Sequence, residues 1–364
     1  MKPYAHALAL ICTLSFSLLA ASPQGYAAPG PAQTHPITDM VGRKLTVPRH
    51  VRKVYCMSPV CQVVLYTLAP DLMAGWNYKP EPGEYALLVP PYRDLPVLGG
   101  WFGKSNTGNL EEILKSHPDL MISLGDPMAT ATAEQVQAQT KIPVYVGGWG
   151  LRQLPEVYRA LGKLLGREAR AKVLADYCQH ALQDVEDKVR KIPISQRKRI
   201  YYAEGPTGLS TDPGTSAHSE SIIFAGGVNV AAVPEQKGYG QTAVSLEQVL
   251  SWNPDIIIAG YDHMSSPGTF YQDIWHQPLW AQVKAVKNRD VYEAPQYPFN
   301  WIDRPPSANR IIGIRWMAHL FYPKQFAFDL KGETRKFYQL FYHKTLSDAE
   351  LNQLLAQAVK PSQH

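Results

Sequence analysis

The sequence predicts an α/β fold: two lobes, each a mostly parallel sheet flanked by helices, bridged by a long helix with a ligand cleft between them. Three observations carry this. First, residues 109–126 (NLEEILKSHPDLMISLGD) and 245–262 (SLEQVLSWNPDIIIAGYD) align without a gap. Seven of the 18 positions are identical: Leu110/Leu246, Glu111/Glu247, Leu114/Leu250, Pro118/Pro254, Asp119/Asp255, Ile122/Ile258 and Asp126/Asp262. Second, each copy is a short amphipathic helix stopped at a Pro-Asp turn and followed by an apolar run, LMIS or IIIA. Proline cannot donate the next helical bond, and a short continuous apolar run suits a strand buried on both faces of a parallel sheet. Third, Leu154–Arg190 carries apolar residues at helical spacing, interrupted once at Gly166, with no Gly/Ser-rich linker between the halves.

The remaining segments fill in the two halves. VRKVYCM, PVLGG and IPVYVGG read as strands of the first, with Val60–Leu68 a helix. RKRIYYAE and DVYEAP read as strands of the second, with His218–Ala225 a helix. Ser307–His319 and Leu346–Val359 read as closing helices. The expected organisation is a leader at 1–28, an N-terminal lobe at 36–150, a helical linker at 151–192, a C-terminal lobe at 193–322 and a helical extension at 323–364.

The leader has Lys2, an apolar run from Ala5 to Ala21, and small residues at Gly25, Ala27 and Ala28, the pattern of a cleaved secretory signal. Removing 28 of the 364 residues leaves 336, enough for two lobes. The formal charge of +5 is small, and the basic residues (Arg197-Lys198-Arg199, Arg167, Arg170, Lys172) are scattered among acids, so nucleic acid is not an expected partner. Cys12 leaves with the leader. Cys56 and Cys61, five residues apart, are open to two readings: a bridge formed in an oxidising compartment, or, with Cys178, three buried thiols. No cysteine–histidine cluster has structural zinc spacing.

These features resemble the periplasmic binding proteins that serve iron–siderophore, haem and cobalamin importers. The likeness runs from about residue 36 to 358 and rests on five stretches in order. They are VYCMSPVCQVVLYTLA, the two Leu-Glu…Pro-Asp units, HSESIIFAGGVNVA and PLWAQVKAVKNRDVYEAP. Cys61 and Gln62 stand where the family has threonine or glutamate after the Ser-Pro turn. The resemblance implies a non-enzymatic, monomeric, periplasmic substrate-binding component of an ABC importer. Its ligand would be cargo, not a cofactor. The matched glutamates Glu111 and Glu247 would dock on an inner-membrane permease dimer.

Ligands of such folds bind at the carboxyl ends of the strands. The side chains that follow the predicted strands are Ser58, Tyr78, Trp101, Phe102, Asp126 and Trp149 in the first lobe. In the second they are Glu204, Thr215, Ser216, His218, Tyr239, Tyr261, Asp262 and the 297–304 stretch with Tyr297, Trp301 and Arg304. Aromatics bury a bulky ligand with little entropy loss. Arg304 offers a fork for carboxylates, catecholates or an oxyanion, and relatives that bind cobalamin carry a similar Trp-x-acid-Arg stretch. His218, at a predicted helix start, is the candidate metal ligand or anion donor, with helix capping by Ser216 as the alternative. A bare-ion site needs three or four converging ligands, and the other histidines lie on helices or distal loops, so a chelate is the expectation. The expected cargo is a small metal-containing ligand: an iron complex (siderophore or haem) first, then cobalamin, a molybdate- or tungstate-type oxyanion, or a nickel or cobalt chelate. A hydrolase or metalloenzyme, and a non-transport sensor, are the competing classes. No Gly-x-Ser-x-Gly, His-Glu-x-x-His or P-loop motif supports the former.

Overall fold

The computed structural model describes residues 33–102, 106–125, 127–235, 241–260, 269–327 and 329–360. The leader therefore lies outside the described residues, as do Asp126, Tyr239, Tyr261 and Asp262.

Both repeat units form a helix and a buried parallel strand. In the first lobe the helix is Leu110–Lys115 and the strand Leu120–Leu124. That strand is central, between Val54–Cys56 and Val144–Gly147, with all pairings parallel. In the second lobe the helix is Leu246–Trp252 and the strand Ile256–Ala259. It lies between Arg199–Ala203 and Val291–Glu293, and Val228–Asn229 closes the far edge, again all parallel. The shared Asp does the same task twice. Asp119 accepts from the amides of Arg52 (2.7 Å) and Lys53 (3.0 Å), and Asp255 from that of Arg199 (2.9 Å). Each carboxylate therefore seats the neighbouring strand's first residues. The helix-to-strand corner needs a left-handed residue, and His117 (φ 51°) and Asn253 (φ 41°) supply it.

Two helices, Leu154–Leu165 and Glu168–Val189, join the lobes and turn at Gly166 in the left-handed conformation. Their buried faces (Leu154, Val157, Tyr158, Leu161; Leu174, Cys178, Leu182, Val185) share one core with the first lobe. The Pro59–Leu68 helix follows a Ser-Pro start as expected. Cys56 and Cys61 are bridged across that start, with Cα atoms 5.5 Å apart, which resolves the open alternative; Cys178 is a free buried thiol.

The C-terminal segment differs from expectation. The helix before it is Arg310–Phe321, and the closing helix is the shorter Asp348–Leu355. Between them, inside the helical extension expected at 323–364 but not placed there as a separate element, lies the helix Leu330–Tyr342. It carries Phe337, Tyr338, Phe341 and Tyr342, all fully buried, back to the first lobe. There the Tyr66 hydroxyl donates to the Tyr342 carbonyl (3.2 Å), and the Arg170 guanidinium donates to the carbonyls of Thr67 and Leu340. Ser307 donates to the Val60 carbonyl (2.7 Å), so the lobes meet here as well as through the linker. Among the described residues no helix is long and apolar enough to cross a membrane.

Candidate functional site

The site is built where the second lobe's strands end. Strand Arg199–Ala203 runs into Glu204, and the next residues reverse direction through Gly205 (φ 75°) and Gly208 (φ 68°). Both positions need the left-handed region open to glycine. The reversal returns Ser210 to pair with Glu204 through both backbone bonds (2.7 and 3.1 Å), which sets Thr211 and Asp212 beside the strand end. The Asp212 carbonyl is held by Ser219 (3.0 Å) and Asn229 (2.8 Å). Asp303 comes from the 296–304 loop, whose turn is fixed by the Asn300 side chain accepting from the amides of Ile302 and Asp303.

These segments bring three acidic side chains around one guanidinium, with an imidazole beside one of them. Arg304 donates from Nε to Glu204 (3.0 Å) and from Nη2 to Asp212 (2.7 Å), and Asp303 lies 3.6 Å from Nε. His218 Nδ1 lies 2.6 Å from the Asp303 carboxylate. Glu204, Asp212 and Asp303 have fully buried side chains. His218 and Arg304 are about a fifth exposed, at 21% and 18%. Arg304, expected as a free fork for a ligand, is thus already committed to protein carboxylates.

Burial pushes the Asp212 carboxyl up to about 9, helped by the negative charges of Glu204 and Asp303. Burial also pushes Asp303 up, but His218 and Arg304 outweigh it and hold the carboxyl below its ordinary value. The three carboxylates in turn keep Arg304 charged. Folding therefore favours protonated Asp212. Its contribution to stability is full below the ordinary carboxylate range near pH 4 and is lost as pH rises through about 9. Asp212→Asn is expected to flatten the fall in thermal midpoint between pH 5 and 9; an unchanged slope would count against this assignment.

Ser216 caps the short helical turn before Glu220–Phe224, accepting from the His218 amide (3.2 Å) and donating to Asp212 (3.1 Å). The capping alternative for Ser216 is what the structure contains, and the hydroxyl is buried. His218 meets Trp149 of the other lobe edge to face, at 6.4 Å and 82°. Trp149 is positioned by a clamp: Arg310 donates to its carbonyl (2.6 Å) and to Glu220 (2.6 Å), and Glu220 accepts from the Leu151 amide (3.1 Å). A cavity of about 680 Å³ adjoins this contact, lined by Trp149, Arg152, Ser216, Glu220, Phe224 and Arg310 among others.

The other expected residues disperse. Tyr78 and Phe102 pair edge to face (6.2 Å) on the first lobe, and Trp101 packs on Tyr55 (6.4 Å) next to the Met57 carbonyl that its amide bonds. Thr215 lies in the turn between Asp212 and Ser216, and Ser58 reaches the Leu124 carbonyl (3.4 Å). Trp301 is not a cleft residue: it is fully buried against Trp316, at 6.1 Å, because the loop's apolar residues turn inward when Asp303 and Arg304 turn to the site. Tyr297 is also displaced. It covers Gly83 and lines a separate cavity of about 320 Å³ with Gln272, Gln296 and Gln353. Glu111 and Glu247 are both exposed near helix starts, and Glu111 pairs with Lys115 (2.8 Å). Sequence reasoning missed Asp212 as a site residue and took Asp303 only as an ion-pair partner of Arg304. The available signal was the Asp-Pro-Gly turn six residues before His218.

Known proteins share this architecture. A family profile described as "Periplasmic binding protein" matches residues 90–298. The "Molybdate-binding protein MolA" of Haemophilus influenzae is 27% identical over 367 residues, covering 92% of this chain and 94% of that protein. The "High-affinity heme uptake system protein IsdE" of Staphylococcus aureus is 27% identical over 224 residues, covering 60% of this chain and 73% of that protein. Among solved structures, an ABC transporter solute binding protein from Sulfurospirillum deleyianum superposes with a TM-score of 0.82 at 33% identity, covering 88% of this chain and 99% of that one. With the paired parallel sheets and the site at their carboxyl ends, these matches show that the chain belongs to the periplasmic binding protein family.

Proposed function

We propose that the protein is the substrate-binding component of an ABC importer and that its cargo is a small ligand with a cationic metal centre. The observation that carries this reading is the charge balance of the site. Three fully buried carboxylates, Glu204, Asp212 and Asp303, surround a single guanidinium. Among the described residues, and even with Asp212 protonated, the guanidinium of the cluster is already committed to carboxylates, whereas a further cation gains from them. The Trp149–His218 contact between lobes and the Tyr78–Phe102 pair supply aromatic surface for the body of a chelate. Likeness to a haem uptake protein supports an iron-centred cargo such as haem, and siderophore, cobalamin and nickel or cobalt complexes share the chemistry. In this reading the protein acts as a monomer, carries no cofactor and has no catalytic role. Glu111 and Glu247, exposed at equivalent positions of the two repeats, face the two halves of a permease.

The second reading is an oxyanion cargo, favoured by the likeness to MolA over 92% of the chain. Titrating the tryptophan fluorescence of the protein with haemin, ferric siderophores, cobalamin, nickel–histidine and molybdate separates the two. The expected result is saturable quenching by a metal-centred ligand, weakened at least tenfold in His218→Ala, with no response to molybdate. Tight molybdate binding with silence from every metal complex would replace the first reading by the second.

A further inference from the structure

Asp212, His218 and Asp303 each offer a ligand atom, and all three atoms lie within 4.8 Å of one another. All three come from the second lobe, on the hairpin return, the turn at the helix start and the 296–304 loop, so no lobe movement is needed to gather them. One imidazole nitrogen and two carboxylate oxygens form a donor set of borderline softness, suited to a divalent transition ion. A second observation points the same way. Among the described residues, Asp303 Oδ2, which has only the 3.6 Å ion pair with Arg304, and Glu204 Oε2 are buried without hydrogen-bond partners, as is the Oγ1 of Thr211, the residue before Asp212. Buried oxygens with lone pairs to spare, next to an excess of carboxylates over guanidinium, are the surroundings a cation satisfies and a neutral protein group does not.

We infer that these three residues bind a divalent transition ion directly, so that the protein, and not only an organic chelator, coordinates the metal. The inference rests on the metal-centred reading above and narrows it. The imidazole of His218 is partly exposed, so it has room to adjust to an ion held at bonds of about 2.0–2.2 Å. Two protein carboxylates and one imidazole leave at least one coordination position for water or for a donor atom of the cargo. Asp212 also accepts from Arg304 and Ser216, the kind of outer partners that commonly fix metal-bound carboxylates.

The test uses the full mature protein and cobalt(II) chloride, with zinc(II) chloride as competitor. The expected result is one Co²⁺ per chain by calorimetry, a visible absorption band, and displacement of both signals by Zn²⁺. His218→Ala and Asp303→Asn should each weaken Co²⁺ at least tenfold with the far-ultraviolet dichroism unchanged. His180→Ala, on the exposed face of the linker helix, should not. If Asp303→Asn fails to fold, His218→Ala and Asp212→Asn decide the matter. Co²⁺ affinity unaffected by these substitutions would overturn the inference, because the ion would then sit elsewhere. A protein that takes up a metal complex but no bare Co²⁺ or Zn²⁺ would also overturn it, while leaving the proposed function intact. Failure to bind any metal complex, with bare Co²⁺ bound and lost in His218→Ala, would instead sink the chelate reading and keep the site.

Discussion

Arg304→Met should destabilise the protein by about 3–5 kcal/mol, the cost of leaving buried charge without its partner. The methionine keeps the packing volume of the stem but removes every positive charge in contact with Glu204 and Asp212. Both carboxylates are fully buried, so water cannot take over. Urea unfolding followed by fluorescence measures the loss. Adding Glu204→Gln to Arg304→Met should recover a large share, since the amide removes the buried charge left without its partner. A loss below about 1 kcal/mol for the single change would mean that Arg304 is not the counter-charge of the cluster and is free for ligand. The same variant distinguishes two ideas of Arg304: a residue that contacts cargo would lower affinity without lowering stability.

Trp301→Ala is expected to cost a comparable 3–5 kcal/mol for a different reason, loss of a large side chain from a closed core. Trp301 is fully buried beside Trp316 and the Arg310–Phe321 helix. In the folded fraction, affinity for the cargo should stay within about twofold, whereas Trp149→Ala should weaken it while leaving stability nearly unchanged. Urea unfolding and ligand titration of both variants read the contrast. Equal loss of affinity in Trp301→Ala would restore it to the cleft.

What the sequence showed, and what it hid, has a common cause. The repeat was legible because its constraints are local: a proline that stops a helix, an aspartate that seats a neighbouring strand, and an apolar run that can only be buried. Even the corner residues His117 and Asn253, unlike in type, fall at equivalent alignment positions and take the same left-handed backbone. The site was legible in part. His218, Glu204 and Arg304 follow strands or open a helix, and the structure joins them. Asp212 was hidden because it reaches Arg304 only after a hairpin reversal set by Gly205 and Gly208, and Asp303 because a carboxylate beside an arginine in sequence reads as its neutralising neighbour. Trp301 was misassigned because the loop that carries it alternates direction, sending Asp303 toward Arg304 and His218 and Trp301 toward Trp316. The helix Leu330–Tyr342 fell within the expected helical extension, but its bounds and its packing were not read, because its lysines, glutamate and tyrosines mask an apolar stripe that only the first lobe completes.

That last helix has a consequence for biosynthesis. The residues made near the end of the chain, Phe337 to Tyr342, finish the core around the Pro59–Leu68 helix, among the first to be made. Until they arrive, Tyr66 keeps its packing on Trp76 but not its cover from the last helices, and the first lobe cannot reach its full burial. The first lobe therefore completes its core only when residues 276 positions further along the chain have joined it, a closure that is long-range in sequence and correspondingly slow.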